Sequence, residues 1–206
     1  ADIWFNFGLI DKAPIFDQVI QDWDAKMSTD PKNEKFTAFE FGLNTSSNDG
    51  ALAGKLNIYS TQWNDRIQTK YVQNEDGDDD IIYLTGINQS HSGVETEFAA
   101  QLTDVIRVDM GSSIGMWKYT DDATGTYRDS DGSEQTYNYA LKDLRVGDMP
   151  QISFNLGVTA SPVEGALLQA TYRYYDRFYA DWSASSREYS DGSSGDRGSP
   201  FMAPSY

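Results

Sequence analysis

Apolar and polar residues alternate with a period of two through seven stretches of the chain, the signature of β-strands with one apolar and one polar face. Ile3, Phe5, Phe7 and Leu9 share one side against Asp2, Asn6 and Gly8. Thr37, Phe39, Phe41 and Leu43 alternate with Ala38, Glu40, Gly42 and Asn44. Leu52, Gly54, Leu56 and Ile58 oppose Lys55, Asn57, Tyr59 and Thr61. Val94, Thr96, Phe98, Ala100 and Leu102 oppose Glu95, Glu97 and Gln101. Ile106, Val108, Met110, Ile114 and Met116 oppose Arg107, Asp109, Gly111 and Ser113. Ile152, Phe154, Leu156, Val158 and Ala160 oppose Gln151, Ser153, Asn155 and Thr159, and Leu168, Ala170, Tyr172 and Tyr174 oppose Gln169, Thr171, Arg173 and Tyr175. The pattern predicts an all-β, antiparallel fold.

The connections alternate in length. Ser46-Ser47-Asn48-Asp49-Gly50, Thr103-Asp104 and Ser161-Pro162-Val163-Glu164-Gly165 are short and carry turn residues. Segments 11–35, 64–86 and 118–149, and the tail from 183, are long and polar. A Greek-key sandwich has no reason to keep such a rhythm. A transmembrane β-barrel does, with short periplasmic turns and long extracellular loops. Apolar stretches of about nine to eleven residues also match a tilted strand crossing the hydrocarbon core. Charges in mid-strand on the other face (Lys55, Glu95, Glu97, Arg107, Asp109, Arg173, with Asn57 among them) suit a wet lumen. The fold expected is therefore an antiparallel transmembrane β-barrel segment of about seven strands over residues 1–206. Seven strands place the two ends on opposite sides, whereas bacterial single-chain barrels have an even count. An open edge in lipid leaves backbone amides unpaired. The chain is thus expected to be one part of a larger barrel.

Composition changes the picture mainly by exclusion. The 206 residues hold 32 acidic and 16 basic side chains, net charge −16, which argues against nucleic acid as a partner. Cysteine is absent and His91 is the single histidine, which excludes disulfides, thiolate chemistry and a histidine-rich metal site. A mean hydropathy of −0.58 does not exclude a membrane, because alternating strands average to hydrophilic.

The chain resembles the C-terminal half of a TonB-dependent receptor barrel. The resemblance rests on Phe7-Gly8-Leu9-Ile10-Asp11-Lys12-Ala13-Pro14-Ile15-Phe16-Asp17, Leu56-Asn57-Ile58-Tyr59-Ser60-Thr61-Gln62-Trp63-Asn64-Asp65-Arg66, Gly86-Ile87-Asn88-Gln89-Ser90-His91-Ser92-Gly93-Val94-Glu95, Leu141-Lys142-Asp143-Leu144-Arg145-Val146-Gly147-Asp148 and Tyr172-Arg173-Tyr174-Tyr175-Asp176-Arg177-Phe178-Tyr179-Ala180-Asp181-Trp182. It implies an outer-membrane protein, not an enzyme, that takes up a scarce small-molecule ligand such as a siderophore, vitamin or carbohydrate. The partners implied are outer-membrane lipid, the remaining barrel strands and a plug domain, and TonB through that missing N-terminal part. The plug and the remaining strands are not in this sequence. Two other classes stay open: a passive porin-like or adhesive barrel, and a soluble calcium-binding β-sandwich.

Candidate sites follow from position. Trp63 and Trp117 each lie thirteen residues beyond a turn, at Gly50 and Asp104, so both sit near the outer rim. Strand parity points them inward, where an aromatic can stack on a ligand, unless a bulge turns them outward into an interfacial girdle. With Tyr83 and Tyr119 they are the expected ligand contacts. Trp182 has lipid-facing parity and is assigned to the girdle. In Glu75-Asp76-Gly77-Asp78-Asp79-Asp80 the carboxylates of Asp76, Asp78 and Asp80 could hold a divalent cation. The run lacks the glycine and closing glutamate of an EF-hand, so a solvated loop is its ordinary reading, and no other cofactor is expected. Asp129-Ser130-Asp131-Gly132 reads as a turn. Ser90 and Ser92 flank His91 on the opposite strand face, so they cannot form a nucleophile–base pair with it.

Overall fold

The computed structural model describes residues 1–21, 26–73, 79–128, 132–189 and 198–206. The main strands are β1 (Asp2–Lys12), β4 (Glu34–Ser46), β5 (Leu52–Gln73), β6 (Asp79–Thr103), β7 (Ile106–Tyr119), β10 (Pro150–Ala160) and β11 (Leu168–Phe178). They pair antiparallel in the order β1-β4-β5-β6-β7-β10-β11. These are the seven alternating stretches of the sequence, joined by the three short turns expected. The sheet is open, and its main path ends at β1 and β11.

Turn chemistry explains the tight ends. Asp49 Oδ1 accepts from the Ala51 amide at 3.0 Å and Ser47 Oγ from Leu52 at 2.9 Å, while Gly50 takes φ 72°. The Ser47 hydroxyl and the Ala51 amide hold the Asp49 carboxyl below its ordinary range. Thr103 Oγ1 accepts from the amides of Val105 and Ile106, closing the second turn.

The long connections are more ordered than their polarity implies. The expected loop 64–86 is mostly strand, since β5 runs to Gln73 and β6 begins at Asp79. Register shifts between Trp63 and Gln68, with Asp65 at φ 55°, break the alternation there, so parity could not be followed through it. Beyond the bulge Ile82, Tyr83 and Leu84 are consecutive and all buried, because this part of the hairpin is covered on both sides. Segment 11–35 holds a 3-10 turn (Phe16–Gln18) and two short strands, β2 (Ile20–Gln21) and β3 (Lys26–Met27). Segment 118–149 contains the hairpin of β8 (Ala123–Arg128) and β9 (Glu134–Tyr139), which continues the sheet off β6. In the tail, helix α1 (Ala184–Arg187) leads into β12 (Glu188–Tyr189), which pairs with β9.

The hydrophobic core lies at this end. Ile82, Tyr83, Leu84, Ile87, Tyr119, Tyr139, Leu141 and Trp182 form one buried cluster, a cap on the long-connection side. Trp182 is buried and donates its indole N–H to Tyr119 Oη at 3.1 Å, so it is a core residue and not part of an exposed girdle. Two predictions arise from this packing. A Cβ on Gly147 would lie 2.5 Å from the Ala180 backbone, so Gly147→Ala should lower stability by about 1–3 kcal/mol in denaturant titration. Burial pushes the Tyr119 hydroxyl up to about 12. In the unfolded chain the hydroxyl ionises near the ordinary tyrosine value of 10, so stability is fully present below pH 10 and declines as pH rises toward 12. Tyr119→Phe should flatten that alkaline decline in pH-resolved melting, and an unchanged slope would contradict it.

Below the cap, no second layer covers the apolar face among the described residues. Ile3, Phe5, Leu9, Leu102, Ile114, Leu168 and Tyr172 are all exposed. The pairing registers put Phe5, Phe41, Ile58, Val94, Ile114 and Ile152 in one row across six strands. The row beneath reads Ile3, Leu43, Leu56, Thr96, Ser112, Phe154 and Tyr174. Its two hydroxyls satisfy each other, Thr96 Oγ1 to Ser112 Oγ at 2.8 Å.

Candidate functional site: the polar sheet face beneath the cap

On the opposite face, flat side chains lie over strand glycines. Trp4 pairs with Gly42 and Tyr59 with Gly93 across neighbouring strands, and Asn155 pairs with Gly111. A Cβ at any of these glycines would fall within 2.6 Å of the partner's side chain. The glycine leaves the space and the ring covers the bare backbone, a pairing that pins register.

Near the cap this face gathers its aromatic and charged groups. Glu34 on β4 is almost fully buried. It accepts from Lys12 Nζ at 3.1 Å and from the Trp63 indole N–H at 2.9 Å, which satisfies both carboxylate oxygens. Trp63 stacks on Phe36 with ring centroids 4.6 Å apart, and the Arg66 guanidinium sits 4.3 Å from its ring centre. The bulge makes this possible: it shifts Arg66 out of simple alternation, so that both side chains reach the same patch. Arg66 also donates to Gln89 Oε1, which contacts His91 Nε2 at 3.1 Å. The His91 ring lies 5.7 Å from that of Trp117, whose indole N–H donates to Tyr59 Oη at 2.8 Å. The row Phe36, Trp63, Arg66, His91, Trp117 and Tyr59 offers aromatic edges and a guanidinium to a planar or hydroxylated molecule. It contains no base beside a nucleophile.

Nearer the short turns the same face is a charge-balanced cleft of about 440 Å³. Lys55 pairs with Glu97 at 2.8 Å across the sheet, and Arg107 grips Asp109 on its own strand at 2.7 Å. Asn57 donates to Glu95 at 3.3 Å, while Arg173 lies exposed opposite Asn155. Ala53, Ala99 and Gly111 form the floor. These ion pairs are open to solvent and contribute little to stability.

The residues singled out from sequence divide accordingly. Trp63 and Trp117 share the polar face as parity predicts, since the bulge falls just beyond Trp63. Lys55, Asn57, Glu95, Glu97, Arg107, Asp109 and Arg173 share it too. Tyr83 and Tyr119 do not join them at a surface: each is 1% exposed within the cap core, so neither offers a ligand contact. Asp76 and Asp78, with residues 129–131, lie outside the described residues, and so does the side chain of Asp80. Among the described residues no cluster of three or more histidines and carboxylates could hold a metal. Glu34, Tyr59, Arg66 and Gln89 were not anticipated. Only Tyr59 carried a readable signal, an aromatic opposite a strand glycine.

No protein-family model, curated protein or solved structure matches this chain.

Proposed function

We propose that this chain is part of an outer-membrane β-barrel, a segment of a TonB-dependent receptor that takes up a scarce small molecule and is not an enzyme. The observation that carries the reading is how the bare apolar band crosses the sheet. On β1 it runs from Ile3 to Leu9, centred one residue above the row of Phe5 and Ile114. On β11 it runs from Leu168 to Tyr174, centred five residues below Asp176, which pairs with Ile152 of that row. Between its two ends the band therefore shifts by about one residue per strand on average along the seven-strand path. With a rise of about 3.4 Å per residue and about 4.8 Å between strands, that drift tilts the strands by about 35° from the band's normal. Membrane barrels tilt by roughly 35–45°. A surface that merely awaits a flat protein partner has no reason to keep a band at that slant.

In this reading the cap is the extracellular side, the short turns are periplasmic, and the polar face lines the interior. Both sheet edges pair with further strands, because a lipid-exposed edge leaves backbone groups unsatisfied at several kcal/mol each. The row from Phe36 to Tyr59, beneath the cap, is where ligand is held. The test is cell fractionation followed by alkaline carbonate washing. The reading expects the chain's parent protein in the outer-membrane pellet, resistant to extraction. Recovery in the soluble fraction, with calcium-dependent melting, would overturn it in favour of a soluble sandwich.

A further inference from the structure

The apolar face is not uniform. Next to the row of Phe5 and Ile114 it sinks into a trough of about 320 Å³, bounded by Ile58, Ser92, Val94, Ile114 and Met116 and ended by Arg177. That volume lies at the lower end of the range for small-molecule sites. The trough lies between the row of Ile58, Val94 and Ile114 and the row of Ser92 and Met116 above it, where the small Ser92 leaves the upper wall low. Its walls are bare: Ile58 is 46% and Ile114 57% exposed.

Arg177 is the unexpected member. Simple alternation would assign it to the polar face. Its backbone is left-handed, φ 53°, with the Asp176 carboxylate accepting its amide N–H at 2.7 Å, and the residue lines the trough together with Ile114 and Met116. It follows Asp176, which pairs with Ile152, so it stands just above the top of the apolar band on this side of the sheet. Arg177 is exposed, and none of the ion pairs among the described residues involves it. Lys55, Lys70, Arg107 and Lys118, by contrast, all hold carboxylates. In a chain of net charge −16, an uncompensated guanidinium at the head of an apolar trough is a matched pair of features. The trough suits a hydrocarbon chain, and the guanidinium suits the fork of a phosphate at headgroup height.

We propose that this trough is a binding site for an anionic, phosphate-bearing membrane lipid, one acyl chain lying along Ile58, Val94 and Ile114 and its phosphate on Arg177. The proposal rests on the membrane reading above. The test places the parent protein, with the strands that cover both sheet edges, in nanodiscs of phosphatidylcholine containing a minor fraction of phosphatidylglycerol, and measures the lipids that remain bound by native mass spectrometry. Wild-type protein is expected to retain phosphatidylglycerol in preference by roughly tenfold, the size of one charge-assisted contact. Arg177→Gln should reduce that preference to near unity. Ser92→Trp, which fills the trough and keeps the charge, should reduce it as well. Glycerol phosphate alone should not compete, because it lacks the chain. A preference that survives Arg177→Gln, or one that survives Ser92→Trp, overturns the site while leaving membrane insertion intact. Failure of the wild-type parent protein to enter nanodiscs of either composition overturns the membrane reading itself.

Discussion

Met110→Arg is expected to destabilise the parent barrel in a bilayer by about 2–4 kcal/mol, the depth-dependent cost of a cation on the lipid face near the midplane. Met110 occupies the middle of the apolar stretch on β7, between Ile106 and Met116, and is 39% exposed. It pairs with Phe98 on one side and Leu156 on the other, so the new guanidinium meets no carboxylate on its own face. Ser113→Arg is the control. Ser113 lies on the opposite face, in register with Glu95, where a cation gains a partner and remains in water. Its cost should stay within about 0.5 kcal/mol. Denaturant unfolding from lipid vesicles measures both. Equal effects would mean that the two faces have the same surroundings, which the membrane account forbids.

The second large effect belongs to the cap. Trp182→Ala should cost about 3–5 kcal/mol, the usual range for deleting a buried aromatic. Trp182 is 5% exposed and packs 5.5 Å from the ring of Tyr139. The Lys70 ammonium stands 4.5 Å from its ring centre and donates to its carbonyl. Truncation also strips Tyr119 of the indole donor. Near-UV circular dichroism and hydrogen exchange of the cap amides report the loss. Because β1 and β10 have no side chains in this core, their exchange should change little. A uniform loss across the sheet would show that cap and sheet unfold as one unit.

Where one face is uniformly apolar, the strands could be read directly. Ile152 to Ala160 is a clean example: every even residue is apolar or small, and the strand found there is the strand expected. The hairpin beyond Trp63 could not be read, for two physical reasons. A bulge resets the parity, and the cap then covers both faces, so that apolar residues at consecutive positions replace alternation. The same cause hid the true place of Tyr83, Tyr119 and Trp182. Parity says which way a side chain points, but whether solvent or another segment waits there depends on contacts distant in sequence. Trp63 and Trp117 were legible because only the strand pattern decides their face. Glu34 was not, since nothing local marks a carboxylate that will be buried between a lysine and an indole.

The central claim is that the apolar side chains of the sheet meet hydrocarbon while the polar neighbours that alternate with them meet water. The chain has no native cysteine, so single cysteines can be introduced and labelled without background. Nitroxides at Val108, Met110 and Ile114, and in separate proteins at Arg107, Asp109 and Ser113, should be measured in vesicles for collision with oxygen and with a water-soluble nickel chelate. The account predicts a period of two along β7, with oxygen favoured at the even sites and nickel at the odd ones. Equal access to both reagents at all six positions, or nickel favoured throughout, would contradict it.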